Sequence, residues 1–266
     1  DLGSCPVSFG NTNTLNSTYV GWTWDAGSST VSNTDGTLTS SVRANPTAGV
    51  SIATWTSASS STTNSFGHGL AKTPEFIVMK SRNNIGNNSN WLTYHSALGA
   101  TKYLRLNTTD AATTTNIWVS GPSSSVVNIE AGAWQPGDWI TYTFAPVEGF
   151  SSFGSFEGNG SADGPFVYTG MRPKWIMIKD ITTTGGSWVI YDTERDIDNL
   201  STQRLAANSS TQENDNTIVS NLTTVGFDIL SNGFKLKIAG LNHNNSGDTY
   251  IYAAFAEHPF KTSRAR

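Results

Sequence analysis

The chain has 266 residues, a net charge of -4 and only 14% charged residues, which leaves no basic surface for nucleic acid or an anionic membrane. It holds no run of eighteen apolar residues, so no helix is expected to insert in a membrane. Its one cysteine, Cys5, excludes an internal disulfide and a cysteine-built zinc site; the residue reads as an inert terminal thiol, or more sharply as an intermolecular crosslink.

Ser, Thr, Asn and Gly dominate, together with nine Trp and twelve Phe. That mixture suits strands joined by polar turns, with aromatic and β-branched side chains packing on pleated surfaces. Residues 1–19 are polar and turn-rich and read as an arm or linker that a neighbour orders. The chain starts Asp1-Leu2-Gly3 without Met, so a processed product or a piece of a longer protein is expected. Residues 20–48 alternate short apolar pairs with turn signals such as Asn33-Thr34-Asp35-Gly36, as strands leading into a larger unit would. Trp22 and Trp24 flank Thr23, which on a strand would put both rings on one buried face. Val50-Ser51-Ile52-Ala53-Thr54-Trp55 alternates as a half-buried strand should.

From here the chain contains one design twice. Pro74-Glu75-Phe76-Ile77-Val78-Met79-Lys80 returns as Pro173-Lys174-Trp175-Ile176-Met177-Ile178-Lys179. Trp91-Leu92-Thr93-Tyr94-His95 returns as Trp188-Val189-Ile190-Tyr191-Asp192, and the turn Asn107-Thr108-Thr109 as Asn208-Ser209-Ser210. Each copy closes on an aromatic strand, Trp139 to Ala145 and Tyr250 to Ala256. The matches keep their order, and such a repeat marks the structural unit. The first copy spans 20–148 and the second 149–266. The junction Pro146-Val147-Glu148-Gly149 is too short to act as a tether, so the copies should pack rigidly. Helical periodicity is scarce; its best candidate is Asp196 to Ala207, with a counterpart near Ser96 to Thr101. The predicted fold class is all-β, with two tandem related β-sandwich, jelly-roll-like modules.

Little catalytic chemistry is legible. His68, His95, His243 and His258 are scattered without a metal-ligand spacing, and no Gly-x-Ser-x-Gly elbow occurs. Glu194, Asp196 and Asp198 cluster beside Arg195, where paired acids could cleave a polysaccharide; a solvated turn with Arg195 offsetting the charge fits the same residues. Asn159, Ser161 and Asp163 alternate before a glycine like the opening of a calcium loop and are the candidate metal ligands. The twelfth position is Gly170 rather than Glu, however, and a hairpin turn also explains them. Trp134 and Asp138 lie in or beside the turn Ala131-Gly132-Ala133-Trp134-Gln135-Pro136-Gly137-Asp138. They are the candidate contacts for a glycan or a neighbouring subunit. No cofactor is predicted. Sequons such as Asn107-Thr108-Thr109 are expected by chance in so Asn-, Ser- and Thr-rich a chain.

Residues 149–179 (GFSSFGSFEGNGSADGPFVYTGMRPKWIMIK), the ending 247–260 (GDTYIYAAFAEHPF) and the leading stretch 33–45 (NTDGTLTSSVRAN) together resemble a module of tailed-bacteriophage virion proteins, of the marine and cyanophage type. The resemblance covers roughly residues 20–260. It implies a non-enzymatic structural protein on the virion surface, a tail-fibre or adhesin domain or else a capsid or tail decoration, and it transfers no catalytic residue. A polysaccharide depolymerase and a secreted cellular adhesin or filament subunit are the remaining readings. The expected partners are further copies of the chain, as a homotrimer that buries exposed strand edges, other virion proteins and a host surface glycan.

Overall fold

Antiparallel ladders build almost all of the molecule. A computed structural model describes residues 15–58, 62–83, 90–131, 136–213, 226–240 and 243–257. Up to the junction run β1 (Val31–Asn33), β2 (Ser40–Asn45), β3 (Val50–Ser57), β4 (Asn64–Gly67), β5 (Phe76–Ser81), β6 (Leu92–His95), β7 (Lys102–Arg105), β8 (Thr113–Thr114), β9 (Val126–Ile129) and β10 (Gly137–Phe144). Beyond it run β11 (Ser151–Glu157), β12 (Phe166–Tyr168), β13 (Trp175–Asp180), β14 (Val189–Asp192), β15 (Arg204–Ala206), β16 (Phe227–Leu230), β17 (Gly233–Leu236) and β18 (Thr249–Phe255). The fold is all-β and sandwich-like, with no α-helix among the described residues.

The repeat is carried by sheet topology. One large sheet has the order β1-β2-β3-β10-β5-β6-β7-β8, the other β11-β18-β13-β14-β15. The run β3-β10-β5-β6-β7 is therefore the same five-strand arrangement as the whole second sheet. Register agrees as well. Phe76 lies opposite Phe144 and His95, and Trp175 lies opposite Phe255 and Asp192. Phe144 pairs in turn with Val50, as Phe255 does with Ser151. Even the turn chemistry matches. The Asn107 Oδ1 accepts the Trp91 N–H at 2.8 Å, and the Asn208 Oδ1 accepts the Trp188 N–H at 2.7 Å.

Each large sheet is covered on one face by a smaller one, β4-β9 in the first half and β12-β17-β16 in the second. Strand alternation divides the side chains between two faces. Ile77 and Met79 of β5 join Trp55, Phe66 and Trp139 in the first outer core. Ile176 and Ile178 of β13 join Phe227, Phe234 and Tyr250 in the second. The remaining faces meet each other. Phe76 and Val78 pack with Phe153, Trp175, Met177, Ile251 and Phe255 in a central core between the two large sheets. The layers thus run small sheet, large sheet, large sheet, small sheet. Burial on both faces is why Phe76–Met79 and Trp175–Ile178 read as unbroken apolar runs rather than alternating ones.

Hydrogen bonds cross the same seam. The His95 Nε2–H donates to the Tyr252 carbonyl at 3.0 Å, and the Trp188 Nε1–H to the Arg105 carbonyl at 2.9 Å. Backbone bonds from Ala112 to Ile181 and from Gly185 to Thr109 add to them. Each large apolar side chain buried there contributes roughly 1.5–3 kcal/mol, so separating the halves would be as costly as opening a domain core.

One expected element is corrected. The segment Asp196 to Ala207 is not helical: it ends in β15, and Ser201 forms a bridge with Phe227. The Asp196 carboxylate accepts the Thr202 and Gln203 N–H groups, and such side-chain bonds compete with helical ones. Near its counterpart, Ser96–Leu98 forms a single 3-10 turn capped by His95.

Candidate functional site

At one end of the central core several aromatic residues reach the end of their strands together. Phe144 and Phe255 close β10 and β18, Trp175 opens β13, and Phe150 precedes β11. The segment ahead of β1 crosses this end without joining a sheet and sets Trp22 and Trp24, both half-buried, against it. Trp24 stands 5.4 Å from Trp175 at 88° and 5.4 Å from Phe255 at 70°. Trp22 meets Trp175 at 6.3 Å and 71°. Edge-to-face contacts of this kind add to plain area burial. The Trp22 indole N–H donates to Asp192 Oδ2 at 3.2 Å, and the Arg195 guanidinium lies 5.8 Å from the centre of the same ring. Two tryptophans one residue apart thereby pin the crossing segment.

Beside these rings opens a groove of about 560 Å³, walled by Trp22, Trp24, Trp175, Phe150 and Phe255. Its charged and amide side chains are Asp25, Asn45, Lys174, Glu194 and Glu257. The Lys174 ammonium sits between two carboxylates, 3.1 Å from Glu194 and 3.0 Å from Glu257. Partial burial lowers the Lys174 pKa, but the bonds to Glu257 and Glu194 outweigh it and leave the pKa above the ordinary lysine value. A second, larger groove of about 1080 Å³ is lined by residues 16–20 of the chain, just ahead of the two tryptophans, and shares Glu194. There Arg195 bonds Asp192 Oδ2 at 2.6 Å and also pairs with Glu213. The first groove lies within the size range of small-ligand sites and the second at its upper limit.

The family of the chain is decided by a pattern that matches residues 2–259, nearly its whole length. The chain belongs to the DUF7483 family. That family is a domain of unknown function, and its pattern takes in both repeats. No curated protein and no solved structure matches this DUF7483 chain.

The residues singled out from sequence fall in three places. Glu194 lies in the aromatic groove, where Glu257 comes from far along the chain to join it; Asp196 serves the backbone of its own loop. Asp138 lies at the start of β10, in a shallow polar trough with Arg82, Thr54 and Ser41. Its carboxylate accepts the Thr56 hydroxyl at 2.6 Å and a bond from Asn83, which hold its pKa below the usual range. Trp134, its intended companion, lies outside the described residues. Asn159, Ser161 and Asp163 share one turn. The Asn159 Oδ1 accepts the Ser161 N–H and the Asn244 amide, while Lys235 approaches Asp163 at 2.9 Å. That ammonium stands at the carboxylate where a cation would bind, and Asp163 titrates below its ordinary value because of it.

His68 and His95 are buried and bonded to backbone, and His243 is buried too; His258 and Cys5 lie outside the described residues. Among the described residues no three His, Cys, Asp or Glu side chains gather as metal ligands. Sequence reasoning missed Trp22, Trp24, Lys174 and Glu257 as site residues of this DUF7483 domain. The usable signal was a Trp-x-Trp pair that none of the matched repeat phrases includes. The partners it would meet lie more than a hundred residues away, and no spacing announces them.

Proposed function

We propose that this DUF7483 chain is a non-enzymatic surface protein of a tailed-phage virion that works by contact, as a tail-fibre or adhesin domain touching the host surface. The sequence phrases at residues 33–45, 149–179 and 247–260 support the viral setting. The observation that carries the contact role is the aromatic groove, with half-buried tryptophans and a polar rim held on a rigid four-layer body. Binding sites placed on stiff scaffolds hold their geometry without further ordering cost.

The same groove argues against hydrolysis. Glycosidases place substrate between two carboxyl groups. Here the Lys174 ammonium bonds both Glu194 and Glu257, an arrangement that favours holding a ligand over cleaving one. A decoration role on the capsid or tail is the second reading. It is favoured by the edge strand β12, which presents Phe166 and Tyr168 as exposed aromatics, a surface suited to assembly. Homotrimeric association remains part of the proposal, since it would cover such edges.

The deciding experiment is the position of this chain in a cryo-EM map of the particle that carries it. Density at the distal end of a tail appendage is the expected result. Density spread over the capsid or the tail shaft would overturn the contact role in favour of decoration.

A further inference from the structure

The groove's charge and its place in the repeat narrow what it accepts. Register makes Lys174, Glu194 and Glu257 the structural counterparts of Glu75, Ala97 and Pro146 in the first copy. The five-strand sheet therefore forms without a lysine between two acids at this point. Stability does not call for that trio either. Its carboxylates are well exposed, at 66% and 61%, and exposed ion pairs contribute little. The crossing segment with Trp22 and Trp24 likewise has no counterpart among the described residues of the second copy. What distinguishes the two copies here is thus the pair Trp22 and Trp24 and the charges on the rim, since Trp175 and Phe255 have aromatic counterparts in Phe76 and Phe144.

Among the described residues those charges are unbalanced. Asp25, Glu194 and Glu257 face the groove there against one ammonium, that of Lys174, which is already held by two of them. A further carboxylate or phosphate entering the groove would meet net negative charge, whereas an ammonium would be drawn in. The walls are indole and phenyl rings set at steep angles to one another, so they form a corner rather than a flat shelf. A pyranose ring suits that corner: its C–H face packs on an aromatic ring, and its hydroxyls reach the carboxylates, Asn45 and Lys174 around the rim. A cationic substituent gains further from the electron-rich ring faces.

We propose that the groove of Trp22, Trp24 and Trp175 binds a pyranoside that is uncharged or bears an amino group and rejects one bearing a carboxylate or phosphate. The proposal rests on the contact role above and gives it a ligand class. Affinity should run amino first, neutral second, acidic last. Glu194 and Glu257 set that order, and the tryptophans supply the shared part of the binding.

The test uses the whole chain on an array of neutral, amino and acidic oligosaccharides, followed by titration calorimetry with the oligosaccharides that bind. Trp22→Ala should weaken neutral and amino ligands alike by about tenfold, the range of one aromatic contact. The double variant E194Q/E257Q changes only exposed side chains and is expected to fold normally. It should erase the amino preference, about a fivefold effect per charge at a surface, and let acidic sugars bind to the freed Lys174. Acidic sugars bound as well as amino ones by the unaltered chain would overturn the proposal. So would affinities that neither variant changes, or an array with no saccharide bound. Any of these results would leave the contact role to the particle map, which reads position and not ligand chemistry.

Discussion

Replacing His95 with asparagine should remove much of the acid sensitivity of folding. The imidazole is buried at the seam between the large sheets, donating from Nε2 to the Tyr252 carbonyl and accepting the Ala97 N–H at Nδ1. Those two roles require the neutral Nε2–H tautomer. Burial pushes its pKa from 6.5 down to about 4, partly offset by the bond to Tyr252. In the unfolded chain the ring takes its proton near the ordinary value, while the folded chain resists it. The contribution is therefore complete above about pH 6.5 and is lost progressively as the pH falls toward 4. The shift corresponds to about 3 kcal/mol over that window. Asparagine is the informative replacement because its counterpart in the second copy is Asp192, whose Oδ1 accepts the Glu194 and Arg195 N–H groups in the same local turn. H95N should keep the cap and lose the bond to Tyr252, a cost of about 1–3 kcal/mol at pH 7. Urea denaturation of both proteins at pH 7, 5.5 and 4.5 reads the result. Between pH 7 and 4.5 the difference should move by about 2.5 kcal/mol in favour of H95N, closing or reversing the gap. His68, whose pKa is also depressed by burial, is common to both proteins and cancels. If the two lose stability in parallel, His95 is not the titrating group and the reasoning fails.

Two further outcomes test the repeat and the seam. Asn107→Ala and Asn208→Ala each strip the acceptor from a tryptophan N–H and should cost about 1–2 kcal/mol, alike to within about 1 kcal/mol, in urea melts. A loss at one site alone would mean that the two turns are not the same device. Trp188→Phe removes the indole bond to the Arg105 carbonyl across the seam and should cost about 1–2 kcal/mol. The protein should still melt in one calorimetric transition, and separate melting of the two halves would contradict the shared central core.

Much of the fold could be read in advance because the apolar runs carry it. Phe76–Met79 and Trp175–Ile178 fall on the central strands β5 and β13, and both tryptophan phrases fall on or just before β6 and β14. Their lack of alternation also held information that tandem, self-contained sandwiches would not need: a strand apolar on both faces has a second layer to meet, and that layer is the other repeat. The stretch after Asp192 misled for a local reason. Asp196, Asp198, Asn199, Ser201 and Thr202 are of the residue types whose side chains compete with helical hydrogen bonds, and at Asp196 that chemistry takes the Thr202 and Gln203 N–H groups. The groove was out of reach for a topological reason. Trp22 and Trp24 resemble a strand's buried pair, and only the crossing of the sheet ends brings them to Trp175, Glu194 and Glu257.

A duplicated scaffold offers its own control for separating structure from function. Where both copies place equivalent groups, as at Asn107 and Asn208, the fold itself is a sufficient reason for them. Where they differ, the fold is not. His95 and Asp192 differ in type yet cap the same turn, and each binds a group from outside its own sheet, the Tyr252 carbonyl in one case and the Trp22 indole in the other. Asp192 thus continues the structural work of its position while anchoring the segment that walls the groove. Lys174, Glu194 and Glu257 lack even that double use, because their counterparts Glu75, Ala97 and Pro146 build the same sheet without them. Rim charge that neither the repeat nor the ion-pair energetics requires is the part of this molecule whose loss should leave folding intact and change only what the groove holds.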